Sequence, residues 1–105
     1  MGGISFEVHQ PGTELATAFQ EARQAAAHEV GWREDSGTIA TKDEVTVVHE
    51  GTLSLTAAKA LADRLLNRFD EPYCDHYGVV AAAIPVADTD GGPGIGWLFF
   101  GFACD

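Results

Sequence analysis

The sequence predicts an α+β fold in a single domain, residues 1–105, with elements in the order β-α-β-β-α-β-β. Two segments, near residues 14–30 and 55–69, repeat apolar residues at spacings of three and four, which is typical of helices with one buried face. Five shorter runs alternate apolar and polar residues or are continuously apolar over the length of a strand. Glycine, proline and aspartate separate these runs, as expected for turns.

The first strand is predicted at Ile4–His9, where apolar and polar residues alternate, and Pro11-Gly12 ends it. The first helix is predicted from about residue 14 to residue 30. Thr13 is its expected N-cap, and Glu14 lies in the first turn, where a negative charge suits the helix dipole. The stripe that faces the core should consist of Leu15, Ala18, Phe19, Ala22, Ala26 and Val30.

Residues 37–49 are predicted to form a hairpin near the middle of the sheet. Two β-prone runs, Thr38–Thr41 and Val45–His49, flank a polar apex at residues 42–44. Strict alternation fails near the end of the second run, which indicates burial on both faces or a small bulge. A central position in the sheet would explain this pattern.

The second helix is predicted to begin after Ser54 or Thr56 as N-cap and to end before Pro72. Residues 78–86 and 96–103 are predicted to form the last two strands, joined by a loop that its glycine and aspartate content predicts to be mobile. The two helices are then expected to cover one face of a mainly antiparallel sheet. A sandwich related to the ferredoxin-like fold would satisfy this order.

The charge balance predicts which partners the protein avoids. Six basic and 16 acidic residues give a formal charge of −10, which repels phosphate backbones and anionic lipid headgroups. We therefore expect no direct binding to nucleic acid or to membranes. The N-terminus lacks a basic segment followed by an apolar one, and no apolar run is long enough to span a bilayer, so a cytoplasmic location is expected.

The sequence contains no complete motif for a calcium or dinucleotide site. The segment Asp88–Gly91 opens like a calcium loop but lacks the bidentate glutamate, and the glycines of residues 91–96 lead into a strand rather than a helix. Cys74 and His76 could hold a metal with one or two further ligands from His9, His28 or His49. Catalysis by Cys74 with His76 as base lacks an identifiable orienting group or oxyanion donors. We expect a protein that is not an enzyme and has no cofactor.

Four segments carry a resemblance to a known family. A helix ending in Ala-Ala-His-Glu precedes SGTIATKD, and the chain closes with YGVVAAAIPV and GWLFFGFA. Together they resemble a family of small proteins encoded by actinobacteria and their bacteriophages, which share a Gly-Thr-Ile-Ala-x-Lys segment and a terminal Trp/Leu-Phe-Phe-Gly-Trp/Phe-Ala strand. The resemblance implies a phage or phage-derived source and no activity. Accessory phage proteins often bind a host protein.

The last strand favours a binding protein. Trp97 and Phe99 lie on one face and Leu98, Phe100 and Phe102 on the other, so both faces are apolar. An edge strand of this kind is covered by a partner or prone to aggregate. We therefore predict a homo-oligomer or a complex with a host protein, with Trp32, Trp97 and Phe99 as interface residues.

The sequence is also compatible with two other functions. The first is a small-molecule or metal-binding protein that sequesters its ligand. The second is an inhibitor whose acidic surface imitates nucleic acid and occupies a basic groove of a host enzyme, with candidate residues Asp63, Asp70, Glu71, Asp75, Asp88 and Asp90.

Overall fold

The computed structural model describes residues 3–30, 39, 42–67 and 80–104. Among these residues, two helices and five strands follow one another in an order that roughly matches the predicted one, so the α+β class is confirmed. Their bounds are β1 (Gly3–Pro11), α1 (Leu15–Val30), β2 (Glu44–Val47), β3 (Leu53–Ser54), α2 (Leu55–Leu66), β4 (Val80–Ala87) and β5 (Gly94–Cys104). The short strand β3 was not predicted, and the predicted strand at residues 38–41 lies outside the described residues except for Ile39.

The strands form one mixed sheet in the order β1-β5-β4-β2, and β3 also pairs with β4. The strand β5 is antiparallel both to β1 and to β4, which confirms the predicted hairpin of the last two strands. The strands β2 and β3 run parallel to β4, β2 along Val80–Ala83 and β3 along Val86–Ala87. Therefore β5 lies inside the sheet rather than at its edge.

The predicted central position of the hairpin is wrong. Its second run contributes β2, which pairs parallel with β4 and lies at the end of the described strand order. Of its first run, Thr38–Thr41, only Ile39 is described, so the pairing of the two runs lies outside the described residues. The Ile39 carbonyl accepts a hydrogen bond of 2.9 Å from the Lys42 N–H. Lys42, predicted at a polar apex, is instead fully buried. Local β-propensity favours a strand but does not specify its partner.

The two helices lie on opposite faces of the sheet, so the prediction of one covered face is also wrong. The helix α1 packs on a cluster, here called the α1 cluster, that includes Phe6, Ala81, Ala83 and Phe99. The helix α2 packs on the alternate residues of the sheet strands. With α2 they form the α2 cluster, which includes Ala82, Ile84, Val86, Leu98 and Phe100. Successive side chains of a strand point to opposite faces of the sheet. The continuous apolar runs of β4 and β5 therefore make both faces of the sheet apolar, and one helix covers each face.

The helix starts follow local capping chemistry. Ser54 is the N-cap of α2, as predicted, and its Oγ accepts a hydrogen bond of 3.3 Å from the Ala57 N–H. The N-cap of α1 is Glu14 rather than Thr13, because α1 begins at Leu15 and the Glu14 Oε1 accepts from the Ala16 N–H at 3.1 Å. Both caps satisfy backbone donors that have no partner inside the helix.

The loop between β4 and β5 is held against β3, although its composition predicted mobility. The Gly91 N–H donates to the Thr52 carbonyl at 2.8 Å, and the Thr52 hydroxyl donates to the Gly92 carbonyl at 2.6 Å. The Asp90 Oδ1 accepts from the Ser54 N–H at 2.8 Å, directly before α2. These three hydrogen bonds attach the loop to the segment that leads into α2.

Replacing Asp90 tests this attachment. We expect Asp90→Ala to lower the free energy of unfolding by about 1 kcal/mol, because it removes the acceptor of the Ser54 N–H. Urea denaturation measures the change, with Asp88→Ala as a control at an exposed position of the same loop. An equal effect of the two substitutions would show that the Asp90 hydrogen bond contributes nothing.

Candidate functional site

Phe99 is not a surface residue. Its side chain is 0% exposed and packs against Phe19, with the ring centroids 5.5 Å apart and the ring planes at 57°. The reason is the position of β5 between β1 and β4, where α1 covers the face that carries Phe99. The prediction that Phe99 is an interface residue of this chain is therefore wrong.

Of the other four predicted site residues, the structure describes only Trp97. Trp97 is partly buried at the margin of the α1 cluster, and its indole N–H donates to the Thr13 carbonyl at 3.3 Å. This bond holds the start of α1 against β5, and a role for Trp97 in an interface stays a prediction. Trp32, Cys74 and His76 lie outside the described residues.

The metal hypothesis gains no support from the described part of the chain. No three histidine, cysteine, aspartate or glutamate side chains come together there in an arrangement that could hold a metal ion. His28 is exposed near the end of α1, and the His49 Nδ1 lies 3.1 Å from the Gly51 carbonyl oxygen. A metal bound by Cys74 and His76 stays a prediction.

The outer edge of β1 is the feature that sequence reasoning missed. The strand spans nine residues, and its pairing with β5 runs in one register from Gly3 to Pro11. Among residues 3–30, 39, 42–67 and 80–104, no strand pairs with its other side. A sheet edge of this length presents a row of backbone donors and acceptors to any chain that can pair with it.

Two observations show which backbone groups of β1 point outward. The Gly12 N–H donates to the Ile95 carbonyl at 3.0 Å, so even-numbered residues of this register exchange hydrogen bonds with β5. Pro11, which has no N–H, occupies one of the alternate positions. The N–H and carbonyl groups of Ser5, Glu7 and His9 therefore point away from β5.

The side chains of the same three residues form an exposed polar row, here called the β1 row: Ser5, Glu7 and His9. The row lies on the α2 side of the sheet, because Phe6 and Val8 belong to the α1 cluster. A Cβ placed on Gly96 would lie 3.2 Å from the His9 Nε2, so the imidazole lies over this glycine. Pro11 was the one sequence signal for this edge, since proline within a sheet is confined to edges, strand starts and bulges.

Glu7 meets an acidic neighbour from α2. Partial burial raises the pKa of Glu7 from its ordinary 4.5 to about 7, with further contributions from a hydrogen bond to the Asp63 side chain and from the charge of Asp63. Lys59 opposes the shift. The ionised form of the Glu7 carboxyl group would thus be stabilised by a further cationic or hydrogen-bond-donating neighbour.

The shift predicts a pH-dependent stability. Between pH 4.5 and about 7 the native protein keeps a proton on Glu7 that the unfolded chain has lost, so the free energy of unfolding falls as pH rises through this window. We expect the change in the free energy of unfolding caused by Glu7→Gln to be more favourable at pH 8 than at pH 4. The difference should be about 1 kcal/mol or less, because solvent screens the exposed Glu7 side chain. Urea denaturation at both pH values checks this, with Glu21→Gln on the exposed face of α1 as control. An effect of Glu7→Gln that is equal at pH 4 and pH 8 would contradict it.

A second surface feature is a depression along α2. It encloses about 400 Å³ and is lined by Leu61, Arg64, Leu65 and Asn67. Leu61 and Leu65 also pack against the α2 cluster, so their side chains are partly buried.

Neither α1 nor α2, as far as the structure describes them, has the length and apolar character that crossing a membrane requires.

Comparisons with known proteins identify no relative of this chain. No family model, no curated protein and no solved structure matches the chain. The resemblance to small actinobacterial and phage proteins therefore stays a prediction from the sequence.

Proposed function

We propose that this protein acts without catalysis, by binding another protein chain through the outer edge of β1. The observation that carries the proposal is the uninterrupted nine-residue strand at the end of the strand order, with the exposed side chains of Ser5, Glu7 and His9. Strand addition to such an edge is a common mode of protein recognition, in which backbone hydrogen bonds give affinity and side chains give specificity.

The edge lacks most devices that prevent strand pairing. Protected edges are short, carry lysine or proline, or are twisted away by bulges. The strand β1 has no lysine, and its single proline, Pro11, is its last residue. Its register with β5 shows no shift, whereas the pairing of β4 with β5 shifts between Val86 and Ala87. Within the part of the chain that the structure describes, these devices therefore block only the last position of the edge.

The sequence argument for a partner changes accordingly. It relied on β5 as an apolar edge strand, but the apolar faces of β5 are covered by α1 and α2. The binding role now relies on β1 and on a mainly polar surface. As part of the same proposal, the protein works in the bacterial cytoplasm, as expected for the phage-related proteins that it resembles.

Site-specific photo-cross-linking in the cells that naturally express the protein tests the proposal. A photoreactive residue replaces Ser5 or His9 on the β1 row, and Thr17 or Gln24 at exposed positions of α1 as matched controls. We expect one discrete cross-linked species from the β1 positions and none from α1. Equal cross-linking from all four positions, or none from β1, would contradict the proposal.

A further inference from the structure

We propose that the chain bound by β1 is a second copy of this protein, paired antiparallel across a twofold axis at Val8, so that Glu7 of each copy lies opposite His9 of the other. This inference rests on the function proposed above and specifies its partner. It follows from the symmetry of strand pairing, from the alternation of the β1 backbone and from the charges of the β1 row.

Symmetry leaves few registers. In a twofold dimer the same surface of both copies meets itself, so β1 pairs with β1 antiparallel about one central residue. Directly opposite residues share a face of the sheet, and residues with outward backbone groups must face one another. An axis at any residue of β1 satisfies both conditions, and axes at Phe6, Glu7 and Val8 are the ones that pair most of the strand.

Charge complementarity selects among these axes. An axis at Glu7 places the two Glu7 side chains directly opposite, which is destabilising. An axis at Phe6 places Glu7 opposite Ser5 and adds no charge partner. An axis at Val8 places a Glu7 carboxyl opposite a His9 imidazole twice, once on each side of the axis.

The neighbours of Glu7 favour the same register. In its own chain Glu7 faces Asp63, and Lys59 is the cation that acts on it. A His9 imidazole from the second copy can donate a hydrogen bond to this carboxyl group whether the ring is neutral or charged. Because each chain has a formal charge of −10, a dimer needs favourable contacts of this kind where acidic groups approach.

Packing on the opposite face agrees with an axis at Val8. The side chain of Val8 is half-buried, whereas Phe6 is already only 8% exposed beneath α1. The axis at Val8 brings the two half-exposed valines together, while an axis at Phe6 would pair residues that have little surface left to bury. At the end of the paired segment, the Pro11 carbonyl can accept from the Ser5 N–H of the second copy, although Pro11 has no donor to return.

A charge exchange tests the register. In the proposed dimer, Glu7→Lys places a cation opposite His9, and His9→Glu places a carboxylate opposite Glu7, so each single change should weaken dimerisation about tenfold. The double variant E7K/H9E restores opposite charges at both pairs and should recover the dimer to within about threefold of the unchanged protein. Sedimentation equilibrium measures the dissociation constants. Glu21→Lys, the same charge change on α1, is the control.

Each outcome of this experiment supports or overturns the inference. A double variant that stays as weak as the single variants, or single variants that dimerise normally, would refute the register at Val8. The unchanged protein tests self-pairing without any substitution that could affect folding. If it is a monomer at every concentration up to the millimolar range, self-pairing is refuted. If that monomer still gives a discrete cross-link from Ser5 or His9 in cells, the proposed function stands with a different partner chain. Without such a cross-link both proposals fail.

Discussion

Phe99→Ala is expected to lower the free energy of unfolding by about 3–5 kcal/mol. Phe99 is 0% exposed in the middle of the sheet, and its ring contacts Phe19 of α1. Truncation removes the aromatic pair and leaves a cavity between β5 and α1. Neighbouring alanines, among them Ala81 and Ala83, are too small to fill it.

Urea denaturation measures this effect, and Ile95→Ala provides a control on the same strand. Ile95 is 43% exposed, so its truncation should change the free energy of unfolding by about 0.5 kcal/mol or less. Comparable losses from the two substitutions would contradict the position of β5 inside the sheet. Phe99→Asp should prevent folding, because it buries an unpaired carboxylate, and it is therefore no test of an interface.

Gly96→Ala is expected to destabilise the protein by about 1–3 kcal/mol, because the added methyl group meets backbone atoms of β1. An ideal Cβ on Gly96 would lie 2.6 Å from the Gln10 carbonyl oxygen and 3.1 Å from the Pro11 Cα. Neither atom can move without shifting β1 relative to β5. The substitution should therefore also disturb the edge that we propose as the binding surface, and dimerisation should weaken with stability.

Gly94→Ala is the matched control for this prediction. A Cβ on Gly94 would have the Thr52 Cγ2 as its nearest neighbour, at an ordinary contact distance of 3.8 Å. Thermal unfolding of the two variants should show a clear loss for Gly96→Ala and little change for Gly94→Ala. Equal melting temperatures would show that β1 does not approach β5 closely at Gly96.

Both helices and the strands β1, β2, β4 and β5 could be predicted because local patterns encode them, whereas the two-residue strand β3 could not. The alternation around Phe6 predicted β1, and the spacing of Ala58, Ala62 and Leu66 predicted α2. Ser54 was one of two predicted N-caps for α2, and the hydrogen bond from the Ala57 N–H to its hydroxyl identifies it as the cap. These signals require no knowledge of the rest of the chain.

The arrangement of the elements could not be predicted in the same way. Apolar residues on both faces of β5 indicated that both faces are covered, but the pattern does not say whether a helix or a partner chain covers them. The parallel pairing of β2 with β4 joins residues far apart in the sequence, and no local motif specifies it. Lys42 was placed on the surface because lysine is rarely buried, and here it is fully buried.

The candidate site was only partly visible in the sequence. The alternation of β1 showed that Ser5, Glu7 and His9 share a face, and Pro11 was compatible with an edge. The approach of Asp63 to Glu7 depends on how α2 lies across the sheet, which no spacing encodes. The predicted interface residues were instead the large aromatics, of which Phe99 serves the core.

Amide hydrogen exchange in β1, resolved by residue and measured at two protein concentrations, tests the central claim most directly. We expect Phe6, Val8 and Gln10 to exchange slowly at both concentrations, because their N–H groups bond to β5. Ser5, Glu7 and His9 should exchange fast in dilute solution and slowly once the protein is concentrated enough to dimerise. The dilute sample is kept below the dissociation constant measured by sedimentation equilibrium, and exchange of these three amides that is then equal at both concentrations would contradict pairing of β1 with a second copy.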